Sequence, residues 1–169
     1  MGRLKNLAER PEREDAMSGE GIGVVQVELE IRIEARPERV WQALVEEIGR
    51  WWPKDFYAGP ARGFVLEPKL GGRMYEDWGN GAGAIWYQVT EIQPPKSLGL
   101  TGQMPAAFGG PAVTLLRLVL RPEGEATVLE LTDSELRKPT DGCRASLEEG
   151  WRALFEKAFK TYVEQGEKA

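Results

Sequence analysis

The sequence predicts an α+β fold: an antiparallel sheet of about seven strands, two short helices after the first strand, and one long α-helix at the C-terminal end. Three observations carry this. Val25, Val27, Leu29, Ile31 and Ile33 alternate with polar residues, the period-two signature of a strand with one buried and one wet face. Six further short segments follow, separated by turn-forming residues, and strands joined by short turns pair antiparallel. The run Ser146–Val163 then places Leu147, Trp151, Leu154, Phe155, Ala158 and Tyr162 at spacings of three and four, one face of a helix. A single aromatic-faced helix after a run of strands points to a helix lying across a curved sheet, an arrangement that can leave a cavity.

Residues 1–23 are charged and end in Gly19-Glu-Gly-Ile-Gly23. They are expected to form a flexible N-terminal tail, with a short helix near Leu4–Arg10, ahead of a single domain over residues 24–166. Pro37 stands at a first helical position, and Val40, Trp41, Leu44, Val45 and Ile48 continue at helical spacing. Pro53 disfavours the α conformation at Trp52 and closes this region. Arg62–Glu67, Gly71–Trp78, Ala84–Ile92, Lys96–Gly102, Thr114–Arg121 and Thr127–Asp133 read as the remaining strands. Gly79–Gly83 turns the second of these segments into the third as a hairpin. Gln103–Pro111, rich in Gly, Pro and Ala, reads as a long loop suited to gate a cavity mouth. Ser146 with Glu149 predicts a capping box for the last helix.

Composition excludes several functions. A net charge of −5 argues against a sequence-independent nucleic-acid binder. The single cysteine, Cys143, allows no internal disulfide and fits a reducing compartment. No apolar run approaches the ~20 residues of a membrane span, and the opening Met1-Gly-Arg-Leu-Lys-Asn leads into no apolar core. A cytoplasmic location is the expectation. The chain has no histidine, which removes Ser-His-Asp and Cys-His catalysis and the commonest metal ligand. No metal and no cofactor are expected, and any enzyme chemistry would run on carboxylates, Tyr, Lys or Arg.

Five local patterns, in order, resemble the SRPBCC (START-like, helix-grip) superfamily. Within it the chain resembles the branch named for the C-terminal domain of the activator of the 90-kDa heat-shock protein ATPase. They are Ile33-Glu-Ala-Arg-Pro-Glu-Arg-Val-Trp41-Gln-Ala-Leu44, Trp51-Trp52, Pro68-Lys-Leu-Gly71-Gly72-Arg73, Val89-Thr-Glu-Ile92-Gln-Pro-Pro95-Lys-Ser-Leu98 and Gly150-Trp151. The resemblance covers about residues 25–165. It implies a curved antiparallel sheet gripping the C-terminal helix over a mostly apolar cavity. It does not imply one activity, since members of the superfamily carry lipids, sense hormones, cyclise polyketides or bind chaperones.

Trp52, Phe56, Phe64, Met74 and Trp86 are candidate ligand-binding walls of that cavity, with Met104, Phe108, Trp151 and Phe155; the competing reading is a filled core. Glu76, if inward, would orient a ligand or act as a base; the simpler reading is that it is solvated or pairs with an arginine. Arg73 and Arg117 either anchor a ligand carboxylate or point outward. Cys143 reads as an ordinary loop cysteine. Gly150, in mid-helix, costs about 1 kcal/mol relative to alanine, which fits either a close backbone contact or an exposed position. The leading function is binding of a small apolar or aromatic molecule. The alternatives are a cyclase- or dehydratase-like enzyme using Glu76, Tyr87 or Asp77, and a module that contacts a chaperone or regulator as protein partner.

Overall fold

A computed structural model describes residues 21–166, apart from the Phe108 side chain; the expected Leu4–Arg10 helix lies outside the described residues. β1 (Gly23–Ile33) is followed by α1 (Pro37–Val45), α2 (Ile48–Trp51) and a single 3-10 turn at Lys54–Phe56. Then come β2 (Gly63–Leu66), β3 (Arg73–Gly79), β4 (Ala82–Gln93), β5 (Ser97–Met104), β6 (Ala112–Glu123) and β7 (Ala126–Arg137). All seven join one antiparallel sheet in the order β1-β7-β6-β5-β4-β3-β2. The first and last strands in sequence therefore lie side by side, and every other neighbour is reached through a hairpin or short loop. The β1 alternation holds: Val27, Leu29, Ile31 and Ile33 are buried, while Gln26, Glu28, Glu30 and Arg32 face water.

Two local features depart from the sequence reading. The β3–β4 turn is only Asn80-Gly81, at φ 54° and 81°. Positive φ at both central residues gives the twist a two-residue hairpin needs, so strand pairing continues to Gly79 and Ala82, further than a Gly79–Gly83 turn would allow. In β4, Met74 pairs with Tyr87 but Tyr75 with Ile85, leaving Trp86 as the extra residue of a β-bulge. The bulge puts Trp86 and Tyr87 on the same side and leaves Ile85 61% exposed.

The last helix begins at Cys143, not near Ser146. Gly142, at φ 77°, is its N-cap residue, and the Ser146 N–H already donates to the Gly142 carbonyl (2.9 Å) inside the helix. The capping box is therefore absent. α3 (Cys143–Arg152) continues through a π-helical stretch, Ala153–Phe159, into α4 (Lys160–Gly166). Its buried stripe is Trp151, Phe155, Phe159 and Val163, with Leu154 beside it; Ala158 and Tyr162 are only half-buried. Four-residue steps overshoot one α turn by roughly 40° each. The wider π turns cancel that drift and keep the stripe on the sheet. Tyr162 instead donates its hydroxyl to Glu47 (2.5 Å), which also holds Arg39, and so ties the helix end to the α1–α2 region.

Candidate functional site: a pocket under the first turns of the C-terminal helix

Packing between helix and sheet is uneven. Around Phe155 it is dense: Trp51 lies 5.7 Å from Phe155 and 4.7 Å from Phe159, ring centre to ring centre, and Trp52 stacks on Phe64 at 4.3 Å. About 10 Å³ stays open among Trp51, Trp52, Met74, Trp151 and Phe155. Toward the start of α3 the helix and sheet leave room. One pocket of about 480 Å³ is bounded by Phe56, Tyr57, Trp86, Tyr87, Met104 and Thr114. A second, of about 550 Å³, lies under Leu147, Gly150, Trp151 and Leu154 and reaches Glu135 and Arg137. The two share Phe56, Trp86, Tyr87 and Met104 as walls.

Of the sequence candidates, Phe56, Trp86, Met104 and Trp151 border this space. Trp52, Phe64, Met74 and Phe155 pack in the core behind it. Gly150 makes no close backbone contact: a Cβ there would meet no atom within 4 Å, and the half-buried position opens on the pocket. Arg73 and Arg117 point outward and pair with Glu67 and Glu91. Cys143 is the first residue of α3, half-buried at the pocket rim.

Glu76 is neither solvated nor paired with an arginine. It is 0% exposed, and four N–H groups surround its carboxylate. Oε1 accepts from the Ala58 backbone (2.6 Å) and Trp86 Nε1 (2.8 Å); Oε2 accepts from the Gly59 backbone (3.1 Å) and Trp78 Nε1 (2.8 Å). A carboxylate has about four lone-pair sites, and all are taken. No lone pair is left to accept a proton from a ligand, so the geometry makes Glu76 a clamp. It fastens the Tyr57–Gly59 segment, a wall of the first pocket, to β3 and the β4 bulge. Gly59 permits the approach, because a Cβ there would overlap the Trp78 ring.

Apart from Tyr87, the polar groups described next come from residues that the sequence reading left aside. β7 runs four residues past Asp133, and its inward parity continues from Leu129 and Leu131 to Asp133 and Glu135, all buried. Asp133 accepts from Thr114 Oγ1 (2.9 Å) and from Trp151 Nε1 (2.8 Å). Burial raises its carboxyl above the ordinary range, against the pull of those two hydrogen bonds. Burial likewise raises the Tyr87 hydroxyl, helped by the nearby Asp133 charge, while a hydrogen bond with Thr114 opposes it. Glu135 Oε2 accepts from Arg137 Nη1 (2.9 Å), and Arg137 Nη2 donates to the Gly109 carbonyl of the β5–β6 loop (2.9 Å). The signal in the sequence was the unbroken alternation Leu129, Leu131, Asp133, Glu135, which places two carboxylates on a core-facing register. Among the described residues no group of three or more Cys, Asp or Glu is arranged to hold a metal, and no helix is long and apolar enough to cross a membrane.

A seven-stranded antiparallel sheet curved around one C-terminal helix, with open space at one end of their interface, defines the helix-grip class. The chain belongs to the family described as Activator of Hsp90 ATPase homolog 1-like protein, whose model matches residues 34–164. Among solved structures, it is similar to the Aha1 dimer from Colwellia psychrerythraea, at 26% identity and TM-score 0.60 over 83% of this chain and 96% of that one. Protein Mll3558 from Rhizobium loti matches at 22% identity and TM-score 0.63, over 80% and 95% of the two chains. DynU16, from the dynemicin biosynthetic locus, matches at 21% identity and TM-score 0.61 over 84% of this chain and 48% of its own. A comparison with curated proteins gives no match.

Proposed function

We propose that the protein binds a small apolar or aromatic molecule in the space between the first turns of α3 and strands β4 to β7. The observation that carries this reading is the contrast in packing along one interface: about 550 Å³ open beside Gly150 against about 10 Å³ beside Phe155. Small-molecule sites span roughly 300–1,000 Å³ and are mostly apolar with a few placed polar groups. The apolar walls are Phe56, Trp86, Met104, Leu147, Trp151 and Leu154, and the polar groups include Tyr87, Thr114, Glu135 and Arg137. Glycine at position 150 keeps the helix from filling the space with its own side chain. Native mass spectrometry of freshly purified protein tests the reading. A retained non-covalent mass of a few hundred daltons supports it, and turnover of that molecule on incubation would move the assignment to the enzyme alternative, with Tyr87 as the acid–base group. A chain free of any retained mass that also fails to take up an apolar probe defeats both.

The second reading, a protein-contact module, is favoured by a different surface. On the outer face of the sheet, Val24, Leu136 and Val113 are cross-strand neighbours, all exposed, with exposed Leu115 and Ile85 nearby. Contiguous exposed apolar side chains of this kind mark contact surfaces. Membership in a family named for an ATPase activator is in keeping with such a contact.

A further inference from the structure

We infer that the molecule held in this pocket carries a protonated amine, received by Glu135 and flanked by aromatic rings. The inference rests on the ligand-binding reading above and gives that ligand its chemical class.

The argument is one of hydrogen-bond polarity. Glu135 is 2% exposed yet borders the pocket, and its one hydrogen bond reaches Oε2 from Arg137. Oε1 accepts from no described residue, so one carboxylate oxygen at the pocket wall is left for whatever enters. Thr114 has given its single proton to Asp133. Glu135 Oε1 and Thr114 Oγ1, both on pocket-lining residues, are therefore acceptors. The cation at the pocket, Arg137, is committed to its own chain: Nη1 to Glu135, Nη2 to the Gly109 carbonyl, and Nε enclosed without a partner. Of the charged residues bordering the two pockets, Glu135 and Asp141 are acidic and Arg137 is basic. Phe56, Trp86, Tyr87 and Trp151 supply ring faces, whose negative quadrupoles attract a cation. An apolar body with an ammonium group satisfies walls and acceptors together. A carboxylate of the same shape would be set against the Glu135 oxygen and leave a charge unpaired there.

Three probes of one shape separate the possibilities: 1-naphthylmethylamine, 1-methylnaphthalene and naphthalene-1-carboxylate, titrated at neutral pH by quenching of tryptophan fluorescence. The amine is expected to bind at least about tenfold more tightly than the other two, the scale of one charge-assisted contact. Glu135→Gln is expected to remove about that factor for the amine and to leave 1-methylnaphthalene within about twofold, which shows the pocket intact. A carboxylate that equals or beats the amine overturns the inference while leaving the ligand-binding reading standing. So does an amine affinity that Glu135→Gln leaves unchanged. If that variant does not fold, the three-probe comparison on the unaltered protein decides alone. Failure of all three probes to bind removes the ligand-binding reading, and this inference with it.

Discussion

Replacing Glu76 by glutamine changes one oxygen into an amide nitrogen and nothing else in size. The carboxylate accepts from four N–H groups, two on each oxygen. The amide offers one oxygen and one NH₂, so whichever way it turns, two of the four donors face another donor. A buried donor left without an acceptor costs about 1–3 kcal/mol. Two such losses, softened by movement of the Tyr57–Gly59 segment, give a destabilisation of about 3 kcal/mol. At about 2–4 °C per kcal/mol for a chain of this size, the melting temperature should fall by roughly 6–12 °C. Calorimetry measures it, and the indole N–H resonances of Trp78 and Trp86 report whether their bonds to residue 76 are lost. A variant melting within a degree of the parent, with both indole resonances in place, would refute the clamp and reopen a proton-transfer role for Glu76.

Two further outcomes follow from the same structure. Gly150→Ala should stabilise the protein by about 0.5–1 kcal/mol, because alanine is the better helix former and its methyl group meets nothing; a lower melting temperature would show a contact at that point. Asp133→Asn should gain stability relative to the parent as pH rises. The folded carboxyl sits above its unfolded value of about 3.9. The native state therefore binds more protons across the window between those two values, and the parent loses stability through it, while below about pH 4 both states are protonated and the effect vanishes. Urea titrations of both proteins from pH 4 to 8 measure the difference, and a gap that narrows with rising pH would contradict the assignment.

Much of the scaffold was legible because it rests on periodicity. The β1 alternation reports a strand wet on one side and buried on the other, and the helix stripe reports a face against the sheet. Boundaries were less legible where a strand's register carries polar residues. Asp133 and Glu135 continue the inward parity of Leu129 and Leu131, but a carboxylate on that face is costly unless partnered. Its partners, Thr114, Trp151 and Arg137, lie on β6, on α3 and further along β7. The role of Glu76 was hidden for the same reason: two of its four donors are indole N–H groups, one of them brought inward by a β-bulge that no period-two reading contains. The π-helical stretch moved the buried positions from Ala158 and Tyr162 to Phe159 and Val163, a shift that a strict 3.6-residue period cannot anticipate.

The central claim is that the space beside Gly150 receives a ligand, and Gly150→Leu tests it most directly. A Cβ at that position meets no atom within 4 Å and the position borders the pocket, so a leucine side chain would extend into that space. Titration of 1-methylnaphthalene into both proteins, followed by tryptophan fluorescence beside a thermal melt of each, gives the answer. The account predicts saturable binding to the parent, at least about tenfold weaker binding to a variant that has lost one good contact's worth of free energy, and a melting temperature no lower than the parent's. Equal binding by the two proteins would contradict it, as would a leucine variant destabilised by the roughly 1–3 kcal/mol of an overpacked core.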